Sequence, residues 1–107
     1  MDFRALMRSY NMEEVDKRLG EAFSKPIDVA YISNWVLRAK ALKGELPWKS
    51  NEEDELFWVY KGEILLETES GLLALKEGEG TVIPKGIKHK QRASQRAVIL
   101  QLESSPC

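Results

Sequence analysis

Residues 44–62 read G-E-L-P-W-K-S-N-E-E-D-E-L-F-W-V-Y-K-G, and residues 78–89 read G-E-G-T-V-I-P-K-G-I-K-H. In an extended chain, residues 55–60 of the first stretch put Glu55, Phe57 and Val59 on one face and Leu56, Trp58 and Tyr60 on the other. Both faces are largely apolar, whereas a strand with one wet side carries polar residues there. The outer face therefore needs a cover, either an N-terminal helix or a second subunit, because an exposed apolar patch marks an interface. The second stretch supplies Gly78, Pro84 and Gly86, which fix tight corners between strands.

Outward from these stretches the same grammar continues. Short runs rich in Val, Ile, Leu and aromatics predict strands over residues 29–32, 35–42, 55–60, 63–68, 72–75, 81–83, 89–92 and 97–102. Turns fall at Ser33-Asn34, Lys61-Gly62, Ser70-Gly71 and residues 77–80. Ahead of the strands, Asn11 followed by Glu14 has the form of a capping box. Met12, Val15, Leu19, Ala22 and Phe23 then recur at helical spacing until Pro26 ends the run. The chain divides into a helical segment (1–25), a strand-rich body (26–103) and a short tail (104–107). Many short, evenly spaced strands with tight turns indicate an all-β sandwich or barrel.

With 107 residues, 43% of them hydrophobic and 31% charged, the chain has the make-up of one soluble domain. Sixteen basic against seventeen acidic side chains give a net charge of -1, so no global field attracts nucleic acid or an anionic membrane. No apolar run is long enough to cross a bilayer, and the N-terminus has no signal-peptide core. The single cysteine, Cys107, lies in the tail and forms no internal disulfide, which points to a reducing, cytoplasmic setting.

The two quoted stretches resemble the two sequence motifs of the cupin superfamily, H-x-H-x-x-x-E-x-x-x-x-x-x-G and G-x-x-x-x-x-P-x-G-x-x-H. Glu55 and Gly62 fall on the Glu and Gly of the first, and Gly78, Pro84, Gly86 and His89 on every fixed position of the second. The resemblance implies a jelly-roll barrel, a double-stranded β-helix, with a short N-terminal helix ahead of it. It implies a homodimer packed sheet on sheet, which favours the second subunit as the cover. It also implies a divalent transition metal such as Mn, Fe, Ni or Zn, held by two histidines, a glutamate and a third histidine. Here Lys49 and Asn51 stand at the first two of those positions, leaving Glu55 and His89.

An ammonium has no lone pair and an amide oxygen is a weak ligand, so two good ligands remain where a tight site wants three or more. Metal is therefore not expected as a resident cofactor, and the Lys49 ammonium is expected in its space, paired with Glu55 and hydrogen-bonded to Asn51. The site residues are then Lys49, Asn51, Glu55, His89 and Gln91, with Trp48 and Phe57 as pocket walls. Three functions follow from this reading. The first is a metal-free protein that binds a small polar or anionic molecule in the barrel mouth. The second is an enzyme using His89 and Glu55 for acid–base chemistry, or a weakly held metal for oxygenase chemistry. The third is a protein-interaction module that uses the apolar outer face. Against them stands a purely structural role for the lone histidine and its glutamate. Lys85, Lys88, Lys90, Arg92 and Arg96 form a basic cluster whose alternation turns Lys88, Lys90 and Arg92 away from His89. With balanced overall charge, that stripe reads as a solvated face rather than a nucleic-acid site.

Overall fold

The longest strand of the molecule belongs to two sheets at once, and the other strands are arranged around it. A computed structural model describes residues 7–104, in which α1 (Met12–Leu19) precedes seven strands. They are β1 (Ile27–Ile32), β2 (Trp35–Glu45), β3 (Glu55–Lys61), β4 (Glu63–Thr68), β5 (Gly71–Lys76), β6 (Gly80–Ile83) and β7 (His89–Ser104). All pairings are antiparallel. The first part of β7 pairs with β4, from Thr68 opposite His89 to Leu65 opposite Arg92. Its later part pairs with β3, from Val98 to Leu102, while β2 runs along both parts. One layer is β1-β2-β7-β3-β6, and the β4–β5 hairpin extends the other. The result is the all-β jelly roll with a short N-terminal helix that the motifs imply.

Sequence reading separates residues 89–92 from 97–102, because Ala93-Ser94-Gln95-Arg96 lacks strand-forming side chains. The backbone instead stays extended throughout. Gly44 pairs with Ala93 and Glu45 with Arg92, and β2 absorbs the bend with a register shift between Leu42 and Gly44. Ser104, placed in the tail by composition, is the last residue of β7 and lies opposite Trp35. Cys107 falls outside the described residues.

The inner faces of the two layers share one core. Leu42, Phe57, Val59, Ile64, Leu66, Leu75, Ile83 and Ile99 are all nearly or wholly inaccessible to water. The alternation in β3 holds, since Glu55, Phe57 and Val59 are buried while Leu56 and Trp58 stay exposed. Gly80 begins β6 opposite Trp58, and a Cβ there would lie 2.2 Å from the indole ring, so the ring occupies the space of a side chain.

The helix covers part of the outer face. Val15 and Leu19 of α1 bury Ala39, Ala41 and Val98, with Tyr60 and Leu100 packed alongside. Beyond it runs an uncovered row across four strands, with Leu37 opposite Leu102, Leu102 opposite Leu56, and Leu56 opposite Val82. The helix starts as the sequence indicates, Asn11 Oδ1 accepting from the Glu13 and Glu14 amides at 2.9 and 3.2 Å. It stops earlier than the spacing suggests, because Gly20 adopts a positive φ of 51°, and Ala22 and Phe23 lie past its end. Arg96 does not join the basic stripe. Its guanidinium donates to the Gly20 carbonyl at 2.9 Å and to Asp16 Oδ1 at 2.6 Å, while Lys61 approaches Asp16 Oδ2 at 3.1 Å. Charge-assisted bonds of this kind are worth about 1.5–3 kcal/mol when partly buried. Arg96→Ala is therefore expected to lower unfolding stability by about that amount and to speed amide exchange in α1 first. Exchange unchanged across residues 12–19 would show that the apolar contacts alone hold the helix.

Candidate functional site

Polar side chains break the apolar lining at one end of the barrel. Strand alternation turns His89, Gln91 and Ala93 of β7 inward, and their outward neighbours Lys90 and Arg92 stay partly exposed. His89 is 1% exposed and Gln91 2%, which places two hydrogen-bonding side chains in a region otherwise built from Phe57, Leu66 and Ile99. From the facing layer β2 contributes Lys40, 6% exposed, whose Nζ donates to Gln91 Oε1 at 2.9 Å. No carboxylate lies within ion-pair distance of Lys40 among the described residues.

A second polar group lies nearer the rim. Glu55, 1% exposed, accepts from Gln101 Nε2 at 3.0 Å and from Asn51 Nδ2 at 3.3 Å. Arg38 holds Glu103 at 2.6 Å and Asp28 at 2.8 Å, and Tyr31 donates its hydroxyl proton to Asp28 as well. Outside Glu55 the surface opens into a cleft of about 330 Å³ lined by Asn51, Glu52, Asp54, Glu55 and Glu103. Asp54 also accepts the Lys85 amide at 2.9 Å and so fastens the loop before β3 to the turn after β6.

Burial acts on both charged groups. It pulls Lys40 down from 10.5 to about 8, with Lys49 adding repulsion while Glu55 and Glu103 pull the other way. It pushes Glu55 up, with neighbouring Glu103 adding to the rise and the Gln101 hydrogen bond and Lys49 charge opposing it.

The residues singled out from sequence fare unequally. Glu55, Asn51, His89, Gln91 and Phe57 all line the barrel end, and Asn51 bonds Glu55 directly. Lys49 does not pair with Glu55. It is solvent-exposed, and its link to the site is a backbone bridge to His89, amide to carbonyl in both directions at 2.9 and 2.8 Å. The buried cation is Lys40 instead. Trp48 is no pocket wall either, being 40% exposed with the Lys90 ammonium 5.7 Å from its ring centre on the outer side. Sequence reading missed Lys40, Gln101 and Arg38. The available signal was β2 itself, where Val36, Arg38, Lys40 and Leu42 share one face.

This donor set does not fit a resident transition metal. Of the four positions that the motif assigns to ligands, one is an exposed ammonium and one an amide whose nitrogen faces Glu55. Both Glu55 oxygens already accept hydrogen bonds, and no group of three or more His, Cys, Asp or Glu side chains converges among the described residues. The buried Lys40 ammonium, near enough to Glu55 for their charges to act on each other, also disfavours a second cation.

No protein-family model matches the chain. It is 32% identical over 77 residues to the uncharacterized protein YdbB of Bacillus subtilis (strain 168), covering 70% of this chain and 68% of that one. Among solved structures, a cupin-2 domain containing protein from Shewanella frigidimarina superposes with a TM-score of 0.84 at 25% identity, over 88% of this chain and 92% of that one. The hydroquinone 1,2-dioxygenase PnpCD, in complex with Cd2+ and 4-hydroxybenzonitrile, superposes with a TM-score of 0.77 at 21% identity, over 91% and 72%.

Two opposite pH effects follow from the charged pair. The folded pKa of Lys40 is below its unfolded value, so between about pH 8 and 10.5 the unfolded chain binds the extra proton and stability rises with pH. The Glu55 contribution runs the other way, complete below the ordinary carboxylate range and lost as pH rises through its raised value. Denaturant unfolding of Lys40→Met beside the unmodified protein should remove the alkaline rise, and Glu55→Gln should remove the acid-side gain. Stability differences that stay constant with pH would contradict both assignments.

Proposed function

The chain belongs to the cupin superfamily, and from that premise we propose that it binds a small anionic molecule in the barrel without a resident metal. The observation that carries this reading is Lys40, a buried ammonium whose one hydrogen-bond partner among the described residues is a neutral amide. An unneutralised buried cation is costly, and a carboxylate or phosphate entering the chamber relieves that cost. The exposed Lys49 adds positive potential near the mouth, and Asn51 and Gln101 turn their amide nitrogens onto Glu55, against the acidic cleft outside it. Calorimetric titration with small carboxylates and inorganic phosphate should give saturable binding that weakens as pH rises through about 8, where Lys40 loses its proton. Lys40→Met should weaken it roughly tenfold or more, the worth of one charge-assisted bond. Elemental analysis after growth with Mn, Fe, Co, Ni and Zn should find well under one metal per chain. One metal per chain, lost in His89→Ala, would overturn the metal-free reading.

A second reading is acid–base catalysis on the bound molecule. It is favoured by the upward shift of Glu55, the direction a general acid needs, and by His89 as the basic partner. Turnover lost in both His89→Ala and Glu55→Gln, with unfolding stability retained, would establish it over simple binding.

We also propose a homodimer through the uncovered row of Leu37, Leu102, Leu56 and Val82, bordered by Trp58. Leu56, Trp58 and Val82 are 37%, 43% and 55% exposed, and a second copy turned over the same row buries all of them. Sedimentation should show a dimer, and Leu56→Lys with Trp58→Glu should convert it to a folded monomer. A monomeric unmodified protein would instead favour a different protein partner on this face.

A further inference from the structure

Two buried side-chain nitrogens at this end of the barrel have no hydrogen-bond partner among the described residues, His89 Nε2 and Gln91 Nε2. Their neighbours fix the polarity of each. His89 Nδ1 lies 2.9 Å from the Ile87 carbonyl oxygen, which only accepts, so Nδ1 carries the proton. In the neutral ring Nε2 is then a bare lone pair. Gln91 Oε1 receives the Lys40 ammonium, which only donates, so the amide is held with its oxygen toward Lys40 and its NH2 away. The first atom is thus an acceptor and the second a donor. They belong to residues 89 and 91, which project from one face of β7 as next neighbours.

We infer that the chamber recognises a hydroxy-carboxylate, its hydroxyl donating to His89 Nε2 and accepting from Gln91 Nε2 while its carboxylate meets Lys40. A hydroxyl is the small group that gives one hydrogen and takes one, which matches this pair atom for atom. Lys40 Nζ donates to the oxygen of the same carboxamide whose nitrogen is the free donor, so the charge and the hydroxyl-reading group are neighbours. Apolar walls from Phe57 and Leu66 leave few competing partners for either group. The inference rests on the anion-binding reading above and adds that the hydroxyl, not charge alone, is read.

The test uses matched pairs with and without the hydroxyl, lactate against propionate and mandelate against phenylacetate. Because His89 is the single histidine of the chain, its two ring nitrogens are observed without overlap in 15N NMR. In the free protein the proton is expected on Nδ1, and a bound hydroxy acid should shift the Nε2 resonance toward the hydrogen-bonded range while its deoxy partner leaves it in place. The hydroxy acid of at least one pair should bind about tenfold or more tighter, since a site built around a hydroxyl leaves polar groups unpaired with the analogue lacking it. Gln91→Leu should shrink that ratio to within about threefold, whereas Lys40→Met should weaken both members of a pair alike. Equal binding within both pairs, with Nε2 unmoved, would overturn the hydroxyl inference, make the pair a structural water site, and leave anion binding standing. No binding by any of the four acids would overturn both readings together. The ring measurement on the unmodified protein needs no variant to fold.

Discussion

Everything in this molecule is arranged by the double pairing of β7. Of its sixteen residues, β2 pairs with 92–104 on one side, while on the other β4 pairs with 89–92 and β3 with 98–102. The two layers therefore share a strand rather than merely facing each other. The register shifts between Leu42 and Gly44 and between Val59 and Lys61 give the bend that turns one layer over the other. That bend brings His89 and Gln91, from the first part of β7, to the same chamber as Lys40 from β2. Gln101, from the later part, is directed at Glu55. A one-residue slip anywhere along β7 would send His89 and Gln91 to the surface and bring Lys90 and Arg92 inside, so the burial of the apolar residues fixes the chemistry of the chamber as well.

The fold was legible because its signals are local. Gly62, Gly78 and Gly86 each have a positive φ, and Gly62 has the Arg96 carbonyl where a Cβ would go, so these positions announce corners that few other residues permit. Glu55, His89 and Gln91 were legible as inward-facing for a similar reason, since alternation within their own strands fixes which way they point, while Asn51 reaches Glu55 from the loop before β3. The buried cation was not. Lys49 stands in the motif position, but the charge that enters the barrel comes from Lys40, and nothing local to residues 36–42 says which face of β2 will be covered. Long-range pairing decides it, because Lys40 lies opposite Ile99 of β7, itself opposite Val59 of β3, and both are wholly buried. Arg96 was misread by the same limit. It adjoins a basic stripe in sequence, yet its partners Asp16 and Gly20 come from the other end of the chain.

The outer face shows how a small helix divides labour with a bare sheet. Eight residues of α1 offer Val15 and Leu19 as fully buried side chains, enough to cover the small Ala39 and Ala41 of β2 and to shelter Tyr60. A helix of that length is marginal alone and depends on its caps and on the Arg96–Asp16 tie. It therefore covers only the patch its own contacts hold in place. The Leu37–Leu102–Leu56–Val82 row lies beyond its reach, in the one part of the sheet where apolar side chains face outward from four neighbouring strands. Sequence alternation showed that the outer face needed a cover. It could not show that the helix would reach only one end of it.

The polar end of the barrel carries a different arrangement of charge from the one its motif positions imply. A metal cation with a carboxylate ligand is a nearly balanced unit inside a low-dielectric barrel, and removing the cation alone would leave Glu55 unpaired. Two changes offset that cost here. Glu55 is held by the amides of Asn51 and Gln101 beside Glu103 and is biased toward its neutral form, so the carboxyl no longer demands a counter-ion. The positive charge returns on another strand, as Lys40, offset from the old position and bonded to Gln91. Because a tethered ammonium offers one charge and three donors but no empty coordination site, it favours binding oxygen anions over activating them as a Lewis acid would. His89, freed from a metal's claim yet still oriented by the Ile87 carbonyl, keeps a directed lone pair in the same space. The barrel thus holds an ammonium, an imidazole lone pair and two amides where the motif would place metal ligands.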